Sequence, residues 1–208
     1  MKSTQLRSPS HPPAERGRPR EFDPATVLDA AGKTFREQGY HATTIDDLCH
    51  STGLLRGSLY SAFGDKRGIL LATLDHYAEG AMTRLGSTLN LPTPSRDTLR
   101  QALLQYVCVA TKLAGLHGCL ITNTAIEMLP QDAEIGAKVE CILRRMAGLL
   151  AAAVIRGQAC GMFNATLDER AVGNFLMCML QGLRVLSKIS ENEQERYAIV
   201  DLALRALI

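Results

Sequence analysis

Residues 41–70 read HATTIDDLCHSTGLLRGSLYSAFGDKRGIL, and this stretch decides the fold. The Thr-Ile-Asp-Asp sequence that begins at Thr44 is typical of a capped helix start, and Gly53 is typical of a helix end. A second short helix is predicted from about Arg56 to Phe63, and Asp65 is placed to cap a longer one. Two short helices joined by a tight turn that contains glycine, with a further helix bracing them, form a helix-turn-helix.

The second short helix carries side chains suited to the major groove of DNA. Arg56 supplies a forked donor for guanine O6 and N7, while Gly57 and Ser58 keep the start of the helix narrow. Leu59 and Phe63 are predicted to face inward and anchor the helix. The sequence therefore predicts a recognition helix whose N-terminal end reads base edges.

Three further residues are predicted to contact phosphates. Tyr60 carries a hydroxyl on the recognition helix. Lys66, together with the backbone N–H groups at the start of the next helix, forms an anion site. Thr44 caps the first short helix and offers a hydroxyl at another helix start. A plain packed helical hairpin is the alternative, and it leaves these residues and the basic N-terminus without a role.

The stretch from Asp23 to Leu74 resembles the DNA-binding domain of the TetR/AcrR family of bacterial transcriptional regulators. The residues that carry the resemblance are Thr43-Thr44-Ile45, Gly53, Leu59-Tyr60, Phe63 and Lys66. A second stretch, GCLITNTAIEM from Gly118 to Met128, resembles a segment found in one branch of that family. The resemblance implies a dimer that binds a palindromic double-stranded operator, acts as a repressor and is released by a small-molecule effector.

Leu55 departs from the family pattern, which usually has Ser, Thr or Asn as the cap of the recognition helix. A lost cap costs about 1 kcal/mol, and the core contacts of Leu59 and Phe63 are expected to offset that loss. A Leu55→Ser variant is therefore expected to bind DNA at least as well, unless the leucine itself takes part in the readout.

The rest of the chain shows helical spacing of apolar residues and no convincing two-residue alternation. We predict an all-α fold of about nine helices, with a three-helix helix-turn-helix domain followed by a C-terminal bundle. Besides the two short helices, the predicted helices cover about 23–39, 66–88, 96–113, 119–128, 131–158, 168–188 and 191–207. We expect three parts: a disordered basic arm at 1–21, the DNA-binding domain at 22–67, and a ligand-binding and dimerisation domain at 68–208.

The basic charge is concentrated at the N-terminus. Residues 1–20 contain five Lys and Arg against one Glu, whereas the whole chain has a net charge of +2. The sequence RGRPR at 16–20 resembles an AT-hook core, an extended segment that lies in a narrow minor groove. Arg18 and Arg20 are therefore predicted DNA contacts, and a solvated tail that adds non-specific affinity is the alternative.

The last two helices are predicted to form a two-fold dimer interface, since helix-turn-helix proteins of this kind read paired half-sites. The helix at 168–188 has apolar residues on more than one side, so it must bury more than one face. The predicted interface residues are Phe175, Cys178, Gly182, Val185 and Leu186. A central helix of a monomeric bundle is the alternative.

The family resemblance also implies an effector cavity among the middle helices. Tyr106, Met146, Phe175 and Met179 are predicted to line it, because aromatic and methionine side chains form adaptable apolar walls. Plain core packing is the alternative for each of these four residues.

Polar contacts to the effector are predicted from Asn123 and Glu127, four residues apart on an otherwise apolar helix; a solvated face or a helix-end cap is the alternative. Cys119 follows His117 closely, and a neighbouring imidazolium lowers the pKa of a thiol. A repressor that senses oxidants or electrophiles through Cys119 is therefore an alternative function.

Other classes of function lack support in the sequence. Six cysteines lie at least 11 positions apart, and no Cys/His spacing fits a zinc site. No catalytic triad or phosphate-binding glycine loop appears, so we predict neither an enzyme nor a metal or cofactor. The absence of a signal sequence and of a membrane-length apolar run predicts a cytoplasmic protein without a membrane partner. A helical adaptor that does not bind DNA is the alternative from another class.

Overall fold

The computed structural model describes residues 22–91, 95–108, 117–190 and 192–208. Within these ranges the regular secondary structure is entirely helical. The helices are α1 (Pro24–Gln38), α2 (Ile45–Thr52), α3 (Arg56–Phe63), α4 (Lys66–Leu89), α5 (Arg96–Cys108), α6 (Leu120–Met128), α7 (Ala133–Ala159), α8 (Glu169–Leu186) and α9 (Glu193–Arg205). The predicted all-α fold of about nine helices is thereby confirmed. The arm with Arg18 and Arg20, and the predicted extension of α5 to residue 113, lie outside the described residues.

Local signals set most of the helix starts. The Asp23 carboxylate accepts hydrogen bonds from the N–H groups of Ala25 and Thr26, and Pro24 occupies the first turn. Thr44 forms the predicted capping box with Asp47, in which each side chain accepts from the other residue's backbone N–H. Short polar side chains that precede a helix thus fix where these segments begin.

The first three helices pack against the start of α4 through side chains that exclude water. α1 contributes Val27, Ala31 and Phe35, α2 contributes Leu48, and α3 contributes Leu59, all of them buried. They meet Ile69, Leu70 and Leu74 of α4 in one apolar cluster. Because α4 continues to Leu89 with a buried stripe, it joins this small core to the core of the C-terminal bundle.

The C-terminal bundle is centred on α7 and α8. Met146, Leu150 and Val154 of α7 are buried in the same cluster as Leu176 and Leu180 of α8. Helix α5 packs against α4, α8 and α9. None of the described helices has the length and apolar character needed to cross a membrane.

The two backbones of α7 and α8 approach closely at Gly173. A Cβ atom there would lie 2.6 Å from the carbonyl oxygen of Ala147. That separation is too short for any side chain, so glycine is needed for this packing distance.

Replacing each of two leucines four positions apart tests whether burial of Leu59 anchors α3 to the core. Leu59 is 0% exposed and Leu55 is 80% exposed. We expect Leu59→Ala to lower the free energy of unfolding by about 2–5 kcal/mol, because it removes a buried side chain. The matched Leu55→Ala variant is expected to change it by less than about 0.5 kcal/mol. Chemical denaturation at one protein concentration measures both, and equal losses would contradict the anchoring role of Leu59.

Candidate DNA-reading surface and buried polar cluster

The turn between α2 and α3 is three residues long, Gly53 to Leu55. Gly53 adopts a left-handed conformation with φ +71°, and its N–H donates to the Cys49 carbonyl at 3.0 Å. The Leu55 carbonyl accepts from the N–H groups of Ser58 and Leu59 at 2.9 and 3.1 Å, which starts α3. The Leu55 side chain makes no cap hydrogen bond, as the sequence indicates.

The recognition helix has a buried side and an open side. Leu59 is fully buried and Phe63 packs against the core, so their predicted inward orientation is confirmed. The side chains predicted to read or contact DNA from α3 are exposed: Arg56, Ser58 and Tyr60, together with Gly57. Their contacts with DNA stay predictions.

Arg56 is held by a partner that sequence reasoning missed. Its guanidinium donates to Asp46 Oδ1 at 2.7 Å, and this hydrogen bond raises the pKa of Arg56 above its usual value. Asp46 lies ten positions earlier on α2, a separation that carries no local signal. Both side chains are exposed, and solvent weakens such pairs, so a base edge or a phosphate can replace the carboxylate.

Lys66 is more constrained than expected. Its ammonium donates to the carbonyls of Tyr40 and Thr43 at 2.9 and 2.8 Å and lies 4.4 Å from the centroid of the Tyr40 ring. These contacts fasten the start of α4 to the loop that precedes α2. The predicted phosphate contact has only the third ammonium proton left to it, and it stays a prediction.

Thr44 caps α2 as predicted, and the single proton of its hydroxyl is used in doing so. Thr44 Oγ1 accepts from the Asp47 N–H at 3.1 Å and donates to Asp47 Oδ2 at 2.6 Å. A phosphate contact from this hydroxyl requires the second of these bonds to be given up.

The Glu127 carboxylate is used within the fold, and its contact with an effector stays a prediction that this geometry does not support. Its carboxylate accepts from the backbone N–H groups of Tyr40 and His41 at 2.8 and 2.7 Å. These two residues belong to the loop between α1 and α2. Glu127 therefore links the C-terminal end of α6 to the loop that leads into the helix-turn-helix. The partners lie more than 80 positions apart, which no sequence pattern reveals.

Asn123 is likewise used within the fold. Its Nδ2 donates to the His117 carbonyl at 2.8 Å, and its Oδ1 accepts from Lys188 at 3.2 Å. It therefore closes the corner that precedes α6 and braces it against the end of α8. The predicted contact with an effector finds no support in this geometry.

A buried polar cluster lies where α4, α5, α6 and α8 meet. Arg184 of α8 is only 4% exposed, donates to the Tyr77 hydroxyl at 3.0 Å, and places its guanidinium carbon 4.4 Å from the Tyr106 ring centroid. Among the described residues it has no carboxylate partner. The sequence analysis did not single out Arg184, although it follows Leu176 and Leu180 at four-residue spacing and so lies on the buried side of α8.

By distance and angle, three polar atoms of this cluster make no hydrogen bond in the described part of the chain: Tyr106 Oη, Gln181 Nε2 and Arg184 Nε. The Gln181 side chain nevertheless lies near enough to Tyr106 to act against the rise in the pKa of its phenol. Buried polar groups are nearly always paired in folded proteins, so three unpaired donors in one region form an unusual concentration. Burial also raises the pKa of the Tyr106 phenol, which keeps it protonated and able to donate.

The pKa of the Cys119 thiol is lowered, as predicted, but not by the predicted neighbour His117. Burial disfavours its thiolate, but the charge of Arg184 and the backbone N–H groups at the start of α6 outweigh burial. Together they hold the pKa of the Cys119 thiol below its usual value. His117 was expected to have this effect, and instead its Nε2 lies 3.6 Å from Glu37 Oε1.

The remaining residues predicted to line the effector cavity lie in two different parts of the C-terminal bundle, its interior and a surface groove. Tyr106 and Met146 are buried in the bundle. Phe175 is 45% exposed, and with Met179 it lines an open groove between α8 and α9. Phe175 and Tyr106 therefore do not lie in one interior space in this structure, and the exposure of Phe175 fits its other prediction, as an interface residue.

The outer side of α8 presents an apolar surface. All five predicted interface residues are exposed there: Phe175, Cys178, Gly182, Val185 and Leu186. Leu202 of α9 is exposed beside the same groove. An uncovered apolar surface of this kind fits the predicted dimer contact, which stays a prediction.

Metal chemistry finds no support in the described residues, since no group of three or more His, Cys, Asp or Glu side chains there is arranged to hold an ion.

Three known proteins are similar to this chain over most of its length. The regulator YezE of Bacillus subtilis, described as an uncharacterized HTH-type transcriptional regulator, is 28% identical over 192 residues, covering 92% of this chain and 99% of YezE. ComR of Escherichia coli, described as an HTH-type transcriptional repressor, is 27% identical and covers 91% of each chain. The solved structure of a cysteine mutant of the TetR-family regulator CifR, complexed with 26-base-pair operator DNA, superposes with a TM-score of 0.80 at 27% identity, covering 92% of this chain and all of the CifR chain.

Two family models match successive parts of the chain. Residues 27–73 match the model described as bacterial regulatory proteins of the tetR family. Residues 94–202, more than half of the chain, match the model described as the tetracyclin repressor-like C-terminal domain. This chain belongs to the TetR family of DNA-binding transcriptional regulators.

Proposed function

We propose that this protein is a homodimeric repressor that binds a palindromic operator through α3 and leaves it when a small-molecule effector enters the C-terminal bundle. The observation that carries the proposal is the start of α3, where Arg56, Gly57 and Ser58 are exposed on a helix anchored by Leu59. The similarity to CifR, seen with operator DNA, supports operator binding, and the similarity to ComR, described as a repressor, supports the direction of control.

Dimerisation is proposed through the outer surface of α8 and the exposed part of α9. Burying Phe175, Val185 and Leu186 against a second copy removes apolar surface from water, which is the main driving force for such association. A two-fold dimer presents two copies of α3, and these must lie roughly 34–36 Å apart to reach half-sites one helical turn apart on the DNA.

The three parts of the chain receive separate proposed roles. Residues 22–67 are assigned to reading DNA, and residues 68–208 to dimerisation and effector sensing. The arm at 1–21 is assigned to additional DNA affinity through Arg18 and Arg20.

The effector site is proposed at the buried polar cluster. Its three unpaired donors, on Tyr106, Gln181 and Arg184, match a ligand that supplies hydrogen-bond acceptors. The positive charge of Arg184, which lacks a carboxylate partner among the described residues, favours a ligand with an acidic group. Met146, buried in the same bundle core, is a proposed apolar contact for the hydrophobic body of such a ligand.

Helix α6 provides the proposed route from this cluster to the DNA-reading helices. Its N-terminal end carries Cys119, beside Arg184, and its C-terminal end carries Glu127, bonded to the loop before α2. A nine-residue helix moves as a rigid element, so a shift at one end displaces the other. An effector that moves α6 thereby changes the position of α2 and α3.

A thiol-based sensor is the second candidate, favoured by the lowered pKa of Cys119 beside Arg184. The Cys119 thiolate would add its electron pair to an unsaturated carbon of a quinone, forming an S–C bond. The displaced π electrons move to a quinone oxygen, which then takes up a proton. Because Cys119 is buried, the quinone must first enter the bundle, and non-covalent release remains the principal proposal.

Operator binding and its dependence on Arg56 test the principal proposal. Selection from a random duplex pool, followed by gel shift, should yield a palindromic sequence that the full-length protein binds as a dimer. Arg56→Ala should weaken that binding by at least about tenfold, since each half-site loses a bidentate base contact. Arg144→Ala, which removes an exposed arginine of α7, is the control and should leave the affinity unchanged. Failure to enrich any sequence would contradict the proposal and favour a helical adaptor.

The link through Glu127 is tested by amide hydrogen exchange. Glu127→Gln keeps the size of the side chain but leaves one acceptor oxygen where the carboxylate has two. The N–H groups of Tyr40 and His41 should exchange faster, by about tenfold at one of them. Glu134→Gln is the control, because that carboxylate bonds to the side chain of Arg67. Unchanged exchange at both amides would show that Glu127 does not hold the loop.

The thiol candidate is tested with p-benzoquinone on the protein–operator complex. If Cys119 is the sensor, the quinone should release the wild-type protein, and Cys119→Ser should remain bound. Cys160→Ser, which changes an exposed cysteine, is the control and should be released normally. Release of Cys119→Ser by the quinone would exclude this candidate.

A further inference from the structure

Leu55 is an exposed leucine for which the fold offers no structural reason. It is 80% exposed, makes no cap hydrogen bond, and occupies a position where a small polar residue would stabilise α3. The adjacent Leu54 packs against the core, and Leu59 is buried, so the apolar contacts of this segment are already provided. The protein thus gives up a helix cap and exposes a large apolar side chain at the same position.

Leu55 lies at the N-terminal end of α3, the end proposed to enter the major groove. Its carbonyl accepts the first backbone hydrogen bonds of α3, and Arg56 follows directly. The surrounding surface is open, since a Cβ atom added at Gly53 or at Gly57 would meet no other atom within 4 Å. A branched apolar side chain therefore projects from the N-terminal end of the recognition helix, next to a guanidinium.

The major groove offers one apolar group to such a side chain, the C5 methyl of thymine. Phosphate oxygens and the polar base edges are poor partners for leucine, because it neither donates nor accepts a hydrogen bond. We propose that Leu55 is a specificity-determining residue that packs against the methyl group of one thymine in each operator half-site. This inference rests on the proposed function, and it adds an apolar contact to the polar readout by Arg56.

The proposal also restricts the half-site. Leu55 and Arg56 are consecutive, so the thymine that Leu55 contacts and the guanine that Arg56 reads must lie within about one base step of each other. A serine at position 55 restores the helix cap but removes the methyl contact, so its effect on affinity combines two opposite changes. The decisive measurement must therefore isolate the methyl group.

Replacement of thymine by uracil removes the C5 methyl and nothing else. In the selected operator, each thymine pair related by the two-fold is replaced in turn, and the affinity of wild type and of Leu55→Ala is measured by gel shift. For wild type we expect one position to lose about fourfold per half-site, the size that burial of one methyl group gives. For Leu55→Ala that loss should disappear at the same position and persist at any other sensitive thymine.

Ile126→Ala is the matched control, because Ile126 is an exposed apolar residue of α6, away from α3. It should show the wild-type pattern of uracil sensitivity. Uracil losses that are the same in wild type and Leu55→Ala at every thymine would overturn the proposal, as would specific binding by wild type that is indifferent to uracil. Absence of any sequence-specific binding would instead overturn the proposed function, so the two failures are distinguishable.

Discussion

The burial of Leu59 is the contact on which the candidate DNA-reading surface depends. Helix α3 has eight residues and no side-chain cap, and helices of that length are marginal in water on their own. Its orientation therefore comes from packing against α4, through a leucine that has no exposed surface. The directions of Arg56, Ser58 and Tyr60 follow from that single anchored face.

A second group of contacts connects the DNA-reading helices to the rest of the chain. Lys66 donates to two carbonyls of the loop before α2, and Glu127 accepts from two N–H groups of the same loop. The Arg67 guanidinium pairs with Asp132 and Glu134 at the start of α7. Its hydrogen bond to Asp132 lowers the pKa of that carboxyl below the usual value. The loop from Gly39 to Thr44 is thus fixed by α4 and by α6, so a displacement of either helix reaches the helix-turn-helix.

Local signals in the sequence predicted well, and long-range partners did not. Asp23, Thr44 and Asp65 marked helix starts correctly, because a cap depends on residues only two or three positions away. The partners of Glu127 were missed because they are loop amides far along the chain, and no spacing rule identifies them. Phe175 was predicted both for an interior cavity and for the outer interface of α8, since a helix apolar on several sides gives no preference between an inner and an outer face. Its exposure fits the second of these predictions.

The close contact at Gly173 has a consequence for assembly. Because α8 packs directly on the backbone of α7, the orientation of the outer surface of α8 is already fixed in the single copy. Two copies that meet through such a surface need little ordering of side chains and backbone, so less of the association free energy is spent on conformational entropy. Rigid outer surfaces also fix the angle between the copies, and the separation of the two recognition helices is then left to motions within each copy.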